Sequence, residues 1–375
     1  MQNIKNLSLP IMVIKLNSND NEYPHTLEGL PSNYNFEINK MFRTIKKLMT
    51  DKLTIKTTPM FKLLMQFPDG LLCYAPIIIN NIHKYFEVDV TILNDVVYGA
   101  CCVDDFLEGD LLIHYGHSCL INISQMNIKT LYIFVEIIIN TMHLEKLILT
   151  HFKNQQISLI GTIQFNTVVN KIRYNINKLI PNKIIIPQIK PLSKGELLGC
   201  TSPAIKTDIC IYVGDGRFHL EAAMIKNYHN ESPITFYKYC PFKKQLTEEK
   251  YNNVEMIKNR KHAIYKFWNS NTIGVIFSTL GKQGNRTIFN NLVQKIHQER
   301  KKVYKIEMEE INQTSLDAFS FIDSFVQVGC PRLSIDWGNL YNKPLLNPYE
   351  VLGSIEYTYN MDYYSNEQSN PWSNY

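Results

Sequence analysis

The sequence predicts an α/β fold built on parallel sheets, and three observations lead there. Short apolar, β-branched runs alternate with stretches whose apolar residues recur every three or four positions, as strands and helices do in βαβ units. Three of the runs end alike, at His114-Tyr115-Gly116-His117, Val213-Gly214-Asp215-Gly216 and Val328-Gly329-Cys330-Pro331. Gly116, Gly214 and Gly329 lie roughly 100 residues apart, the spacing of one α/β unit used three times. Finally, Cys101, Cys200 and Cys330 each follow an apolar stretch and sit in a turn-like segment with a glycine beside or near it.

In chain order, residues 1–29 are polar and Asn-rich and are expected to form a loosely packed extension. Ile38, Met41, Phe42, Ile45 and Leu48 then line one face of a helix. Lys62–Phe67 is a buried strand stopped by Pro68-Asp69-Gly70, and Leu71–Tyr85 is a helix. Val88–Leu93 is a strand leading into Tyr98-Gly99-Ala100-Cys101, with further strands at Leu111–His114 and Thr130–Ile139. The order repeats with strand Ile157–Ile163, helix Val168–Leu179, strand Lys183–Ile189 leading to Cys200, and strand Asp208–Val213. A helix from Leu220 and a short strand Ile234–Lys238 complete this round.

Thr247, with Glu248 and Glu249 behind it, reads as the N-cap of a polar helix continuing through Met256, Arg260, Ile264 and Phe267. The third round has strand Ile273–Leu280, the turn Gly281-Lys282-Gln283-Gly284 and a helix with Ile288, Leu292, Val293 and Ile296. Strands Val303–Met308 and Ser320–Val328 follow, the second ending at Cys330. The tail from Tyr357 is rich in Tyr, Asn and Ser and is expected to be poorly ordered. The expected division is a variable extension 1–29 and α/β domains over 30–154, 155–268 and 269–375. Cys101 and Cys200 follow the second strand of their units, whereas Cys330 follows the third.

A net charge of +5 is too small to argue for direct nucleic-acid binding. Met1–Leu9 lacks the apolar core of a signal peptide. Apolar windows such as Leu131–Ile139 are short and contain Glu136, whereas a membrane span needs about 20 apolar residues. A soluble, cytoplasmic protein with no membrane partner is therefore expected. The eight cysteines include no CxxC pair, so zinc ribbons, thioredoxin-like sites and local cluster-binding loops are absent. A lone cysteine in such a chain is ordinarily a small buried hydrophobe.

Gly214-x-Gly216-x-x-His219 is a dinucleotide fingerprint with its last glycine replaced, which argues against an ordinary nucleotide-binding enzyme. Gly281-Lys282-Gln283-Gly284 joins strand to helix, either as a plain tight turn or as a backbone cradle for a carboxylate or phosphate. His114, His117, Asp104, Asp105 and Cys119 are close enough in sequence to be an alternative metal site, though their spacing matches no standard zinc pattern.

Several longer motifs carry a resemblance. They are Leu30-Pro31-Ser32-Asn33-Tyr34-Asn35-Phe36-Glu37-Ile38, Tyr98-Gly99-Ala100-Cys101-Cys102-Val103-Asp104-Asp105, His114-Tyr115-Gly116-His117-Ser118-Cys119-Leu120 and Gly199-Cys200-Thr201. Gly214-Asp215-Gly216-Arg217-Phe218-His219, Thr279-Leu280-Gly281-Lys282-Gln283-Gly284 and Cys330-Pro331-Arg332-Leu333-Ser334-Ile335-Asp336-Trp337-Gly338 complete the set. Over residues 30–375 the chain resembles the diphthamide biosynthesis family, the 2-(3-amino-3-carboxypropyl)histidine synthases, in its eukaryotic subunit 1 branch. It departs from the family pattern at Tyr239-Cys240-Pro241-Phe242 and at Lys282, where Arg is common, and matches it poorly in the N-terminal extension.

The resemblance implies three related Rossmann-like domains arranged around a central [4Fe-4S] cluster, each giving one cysteine: Cys101, Cys200 and Cys330. Cys102 is the competing thiol in the first domain. Three thiolates leave one iron open for S-adenosylmethionine. The implied reaction transfers a 3-amino-3-carboxypropyl group from S-adenosylmethionine to C2 of a histidine in elongation factor 2. The implied partners are subunit 2, elongation factor 2, a small electron-donor protein and a reductase. From their loop chemistry, Asp215, Gly281, Gln283 and Gly284 are expected in the S-adenosylmethionine pocket. The alternative role is a non-catalytic scaffold or electron-relay subunit of the same complex.

Overall fold

The structure is a computed structural model that describes residues 23–53, 60–93, 99–229, 233–356, 358–367 and 370–374. The chain divides into two compact units, Met1–Ile138 and Ile139–Tyr375.

In the first unit the elements run β1 (Tyr34–Asn35), α1 (Ile38–Leu53), β2 (Phe61–Gln66), α2 (Asp69–Leu72), α3 (Ala75–Tyr85), β3 (Val88–Leu93), β4 (Leu111–Tyr115), β5 (Thr130–Ile133) and β6 (Glu136–Ile137). Strands β2 to β5 form one parallel sheet in the order β3-β2-β4-β5. Its central strands are buried almost throughout, as in sheets covered on both faces. Phe42, Ile45, Met65, Ile78 and Ile113 pack in its core. The register sets Gln66 beside His114 at the C-terminal ends of β2 and β4.

The second unit contains two more sheets. Its elements begin with α4 (Met142–His151), β7 (Ile157–Gly161), α5 (Asn166–Leu179), β8 (Ile184–Ile185), β9 (Ile209–Val213), α6 (Phe218–Lys226), β10 (Thr235–Cys240) and β11 (Gln245–Glu249). The sheet order is β11-β10-β9-β7-β8, with β11 antiparallel at the edge. After α7 (Asn253–Asn269) come β12 (Thr272–Ser278), α8 (Arg286–Gln298), β13 (Lys302–Met308), α9 (Gln313–Asp317), β14 (Ser324–Val328), α10 (Pro331–Trp337), β15 (Leu345–Leu346) and α11 (Pro348–Leu352). This sheet has the order β13-β12-β14-β15.

Apart from the two-stranded pair β1–β6, the three larger sheets share one arrangement, in which the first strand lies between the second and the third and the fourth lies beyond the third. Gly116, Gly214 and Gly329 each follow the third strand of their sheet, the matching strand ends that the sequence singled out. Functional loops of parallel sheets gather at such ends.

Several expectations are corrected. Thr130–Ile139 is two strands, β5 and β6, which belong to different sheets. Thr247 caps no helix. It lies in β11, opposite Lys238, and the helix begins only after Asn252, whose side chain accepts from the Glu255 N–H. Tertiary pairing overrides the capping pattern here: Glu249 takes up Arg217 and Lys238, which holds the edge strand to its neighbours. Leu71–Tyr85 is two helices, broken at Cys73-Tyr74.

The tail, expected to be disordered, is packed. Tyr359, Met361, Tyr363 and Tyr364 are buried, and Asp362 bridges to Thr201. Its polar backbone finds partners inside the fold, and Tyr359 and Trp372 pack edge-on against Tyr349. Among the described residues no helix is long and apolar enough to cross a membrane.

Candidate functional site

Cys200 lies in a tight turn closed by Leu198 and Thr201, which exchange backbone hydrogen bonds at 2.8 and 3.3 Å. A side chain at position 199 has no room: a Cβ there would stand 2.0 Å from the Phe218 ring. The Tyr363 N–H donates to the Cys200 carbonyl at 3.3 Å. The Thr201 hydroxyl lies 3.8 Å from Cys200 Sγ and accepts from the Tyr364 N–H at 3.0 Å. Its proton is therefore directed to the sulfur.

Cys330 is the N-cap of α10, with Pro331 in the first helical position. Buried Gln327 donates from Nε2 to the Cys330 carbonyl at 2.8 Å. Arg332, the second residue of α10, joins this segment to the Cys200 turn. Its guanidinium donates to the Gly199 carbonyl at 3.3 Å and to the Phe218 carbonyl at 2.8 Å. It also pairs with Glu221 at 2.6 Å and Asp336 at 2.9 Å and lies over the Phe218 ring, 4.3 Å from its centre. Burial opposes the Arg332 charge, but Asp336 and Glu221 together outweigh it and hold its pKa above the ordinary value. The two cysteine segments of this unit are thus held by one cation.

Cys101 lies in the first unit, in the turn Gly99-Ala100-Cys101; Tyr98 lies outside the described residues. Both Cys101 and Cys102 are buried, so burial alone does not separate them. The His114 ring sets Nε2 2.8 Å from the Gly99 carbonyl and Nδ1 2.7 Å from the Gln66 amide oxygen, both acceptors, so the single N–H of the neutral ring donates to one of them. Gln66 in turn donates to the Cys102 carbonyl at 3.3 Å and to Asp104 at 2.8 Å. Gly99 packs so tightly on His117 that a Cβ would stand 2.1 Å from the ring. Burial, followed by the neighbouring His117, pushes the His114 pKa down to about 3. Burial lowers that of His117 to about 4 against the opposing pull of the Tyr115 carbonyl. Both rings are neutral at pH 7 and serve as fixed packing and hydrogen-bonding parts.

Among the described residues, no three His, Cys, Asp or Glu side chains are grouped to hold a single metal ion. That corrects the alternative site at His114, His117, Asp104, Asp105 and Cys119. His114 and Asp104 are engaged with Gln66, and Asp105 accepts from the Asn127 N–H at 2.8 Å. Cysteine sulfur, the donor that an iron–sulfur cluster takes, stands in each of the three segments, at Cys101, Cys200 and Cys330.

The turn Gly281–Gly284 follows β12. Gly281 has φ +53°, a conformation that favours glycine, and a Cβ on Gly284 would lie 2.3 Å from the Ser278 carbonyl. Gln283 is buried, its carbonyl taken by the Tyr363 hydroxyl at 3.3 Å and by Asn374 Nδ2 at 2.9 Å. Asp215 is exposed and lines a cleft of about 410 Å³ along the β10–β11 hairpin, with Lys238 and Cys240. Sequence reasoning gave no role to Arg332, Thr201, Gln66, Tyr363 or Asn374. Arg332 and Thr201 stand inside the motifs around Cys330 and Cys200, which was the available signal; the tail residues carried none.

The fold and these turns define a class: a parallel α/β protein with Cys101, Cys200 and Cys330 in non-strand segments that follow strands of its three larger sheets. A family model described as "Putative diphthamide synthesis protein" matches residues 67–364, and the chain belongs to the diphthamide synthesis family. It is 46% identical over 357 residues to 2-(3-amino-3-carboxypropyl)histidine synthase subunit 1 of Encephalitozoon cuniculi, covering 94% of this chain and 98% of that one. It is 43% identical to the protein of the same name from Dictyostelium discoideum, covering 95% of this chain and 76% of that one. A solved structure described as "Crystal structure of Dph2 from Pyrococcus horikoshii with 4Fe-4S cluster" superposes with a TM-score of 0.68 at 20% identity. It covers 88% of this chain and 96% of that one, a likeness of fold.

Proposed function

We propose that this chain is the cluster-bearing catalytic subunit of a synthase that begins diphthamide formation. Cys101, Cys200 and Cys330 would ligate a [4Fe-4S] cluster. The acceptor is C2 of a histidine in elongation factor 2, and the working assembly includes subunit 2, a small electron-donor protein and a reductase. The observation that carries the reading is the Arg332 guanidinium between the Cys200 and Cys330 segments, which are far apart in sequence. Family membership and the subunit 1 relatives support it.

When bound, the cluster would supply one electron to cleave the sulfur–Cγ bond of S-adenosylmethionine and would recover it as the imidazole C2–H is lost as a proton, so the net products are the modified histidine, methylthioadenosine and one proton. The residues of this chain position and exclude. Arg332, Gln327 and the Tyr363 N–H fix the backbone around two of the thiolates. The Thr201 hydroxyl stabilises negative charge on Cys200 Sγ. The Gly281–Gly284 turn is the proposed contact for the aminocarboxypropyl end; Asp215, expected in the same pocket, instead lines the β10–β11 cleft, whose lining includes no residue of that turn. The test uses S-adenosylmethionine labelled in that group, the reduced heterodimer and elongation factor 2. Label should enter the factor with wild-type protein and fail to enter when Cys200→Ala or Cys330→Ala is used. Transfer surviving both substitutions would assign catalysis to the partner and leave this chain as scaffold or relay.

A further inference from the structure

The tail between Tyr359 and Asn374 runs from the Cys200 turn to the Gly281–Gly284 turn and is bonded to both. On one side the Tyr363 N–H donates to the Cys200 carbonyl, the Tyr364 N–H to Thr201 Oγ1, and the Ser202 N–H to the Met361 carbonyl at 2.9 Å. On the other, the Tyr363 hydroxyl donates to the Gln283 carbonyl at 3.3 Å. Asn374 uses its whole side-chain amide on the second turn. Its Nδ2 donates to the Lys282 and Gln283 carbonyls at 3.3 and 2.9 Å, and its Oδ1 accepts from Asn285 Nδ2 at 3.0 Å. The tail also closes on itself, the Asn374 N–H donating to the Tyr363 carbonyl at 2.6 Å.

Tyr363 therefore touches both turns, by its backbone on one side and its hydroxyl on the other. A polar segment tied this way acts as a strap: the spacing of the two turns follows the length of Tyr363. Asn285 is also the N-cap of α8, accepting from the Ile288 N–H, so the strap reaches the start of that helix.

We infer that Tyr363 and Asn374 are positioning residues that hold the Gly281–Gly284 turn at a fixed place relative to Cys200, and so set the affinity for S-adenosylmethionine. This rests on the proposed role of that turn as part of the S-adenosylmethionine pocket. Neither residue needs to touch the substrate. Each acts through the carbonyls it holds, and losing one neutral hydrogen bond of this kind weakens an equilibrium by about two- to tenfold.

The test compares wild-type, Tyr363→Phe and Asn374→Ala proteins in the reduced heterodimer. Tyr363→Phe keeps the buried ring and removes only the hydroxyl, so it should fold normally. Iron content and the electron paramagnetic resonance spectrum should match wild type. The KM for S-adenosylmethionine should rise about three- to tenfold with a smaller change in kcat. Amide exchange over residues 278–285 of the protein alone should speed up in both variants, and Asn374→Asp should behave like Asn374→Ala because it loses the same donor. An unchanged KM, or unchanged exchange in both variants, would overturn the strap. That failure differs from failure of the proposed function, which would appear as transfer surviving Cys200→Ala and Cys330→Ala.

Discussion

The guanidinium of Arg332 donates to the carbonyl of Gly199 at 3.3 Å, so the residue before Cys200 is held by a side chain two positions beyond Cys330. The same group reaches the Phe218 carbonyl, Glu221 and Asp336. A lysine presents one charge without the planar fork and cannot serve these directions together. Arg332→Lys should cost about 3 kcal/mol in urea denaturation and lower the iron retained after anaerobic reconstitution. Wild-type stability with full iron would remove Arg332 from this role.

The Gly281–Gly284 turn gives a second prediction. The atom that a Cβ on Gly284 would meet is the Ser278 backbone carbonyl, which cannot swing aside as a side chain can. Gly284→Ala should destabilise the protein by about 2 kcal/mol and raise the KM for S-adenosylmethionine. Gly216 provides the control, since a Cβ there meets nothing within 4 Å. Gly216→Ala should stay within about 1 kcal/mol of wild type.

Thr201 directs its hydroxyl to Cys200 Sγ at 3.8 Å. A donor to a ligating sulfur favours the more negative, reduced cluster, so its loss should lower the reduction potential. Thr201→Val should shift the potential down by on the order of tens of millivolts in a redox titration, and Thr201→Ser should restore it. An upward shift would contradict the assignment.

His114 and His117 predict acid sensitivity. Their pKa values in the fold, about 3 and about 4, are depressed below the ordinary histidine value by burial first. The unfolded chain therefore takes up protons near pH 6.5 that the fold refuses. Their stability contribution is complete above that pH and is lost as pH falls toward the folded values. From about pH 7.5 to about pH 5.5 the loss should be about 3 kcal/mol for the pair, and His114→Gln should remove about half of that dependence. A stability profile in which His114→Gln leaves the pH dependence unchanged would contradict it.

The strand pattern was legible because buried parallel strands are continuous apolar runs. Val88–Leu93 matches its sequence reading residue for residue, and Gly116, Gly214 and Gly329 proved to be equivalent strand ends. Thr247–Glu249 misled because an N-cap followed by acidic residues looks the same as an edge strand whose glutamates pair across to Lys238 and Arg217. The tail misled because its Tyr and Asn are polar by composition but buried through bonds to residues far away in sequence, such as Thr201 and Gln283. For the same reason Arg332 was visible beside Cys330 but its role was not: a contact with Gly199 exists only once the chain is folded.

The central claim is that Cys101, Cys200 and Cys330 hold one cluster, with Cys102 outside the ligand set. The most direct test is iron analysis, with electron paramagnetic resonance of the dithionite-reduced, anaerobically reconstituted protein, across single alanine substitutions at the four cysteines. Wild type and Cys102→Ala should each carry about four irons per chain with the same reduced-cluster signal, and Cys101→Ala, Cys200→Ala and Cys330→Ala should each lose it. Full iron and an unaltered signal in any of those three, or their loss in Cys102→Ala, would contradict the account.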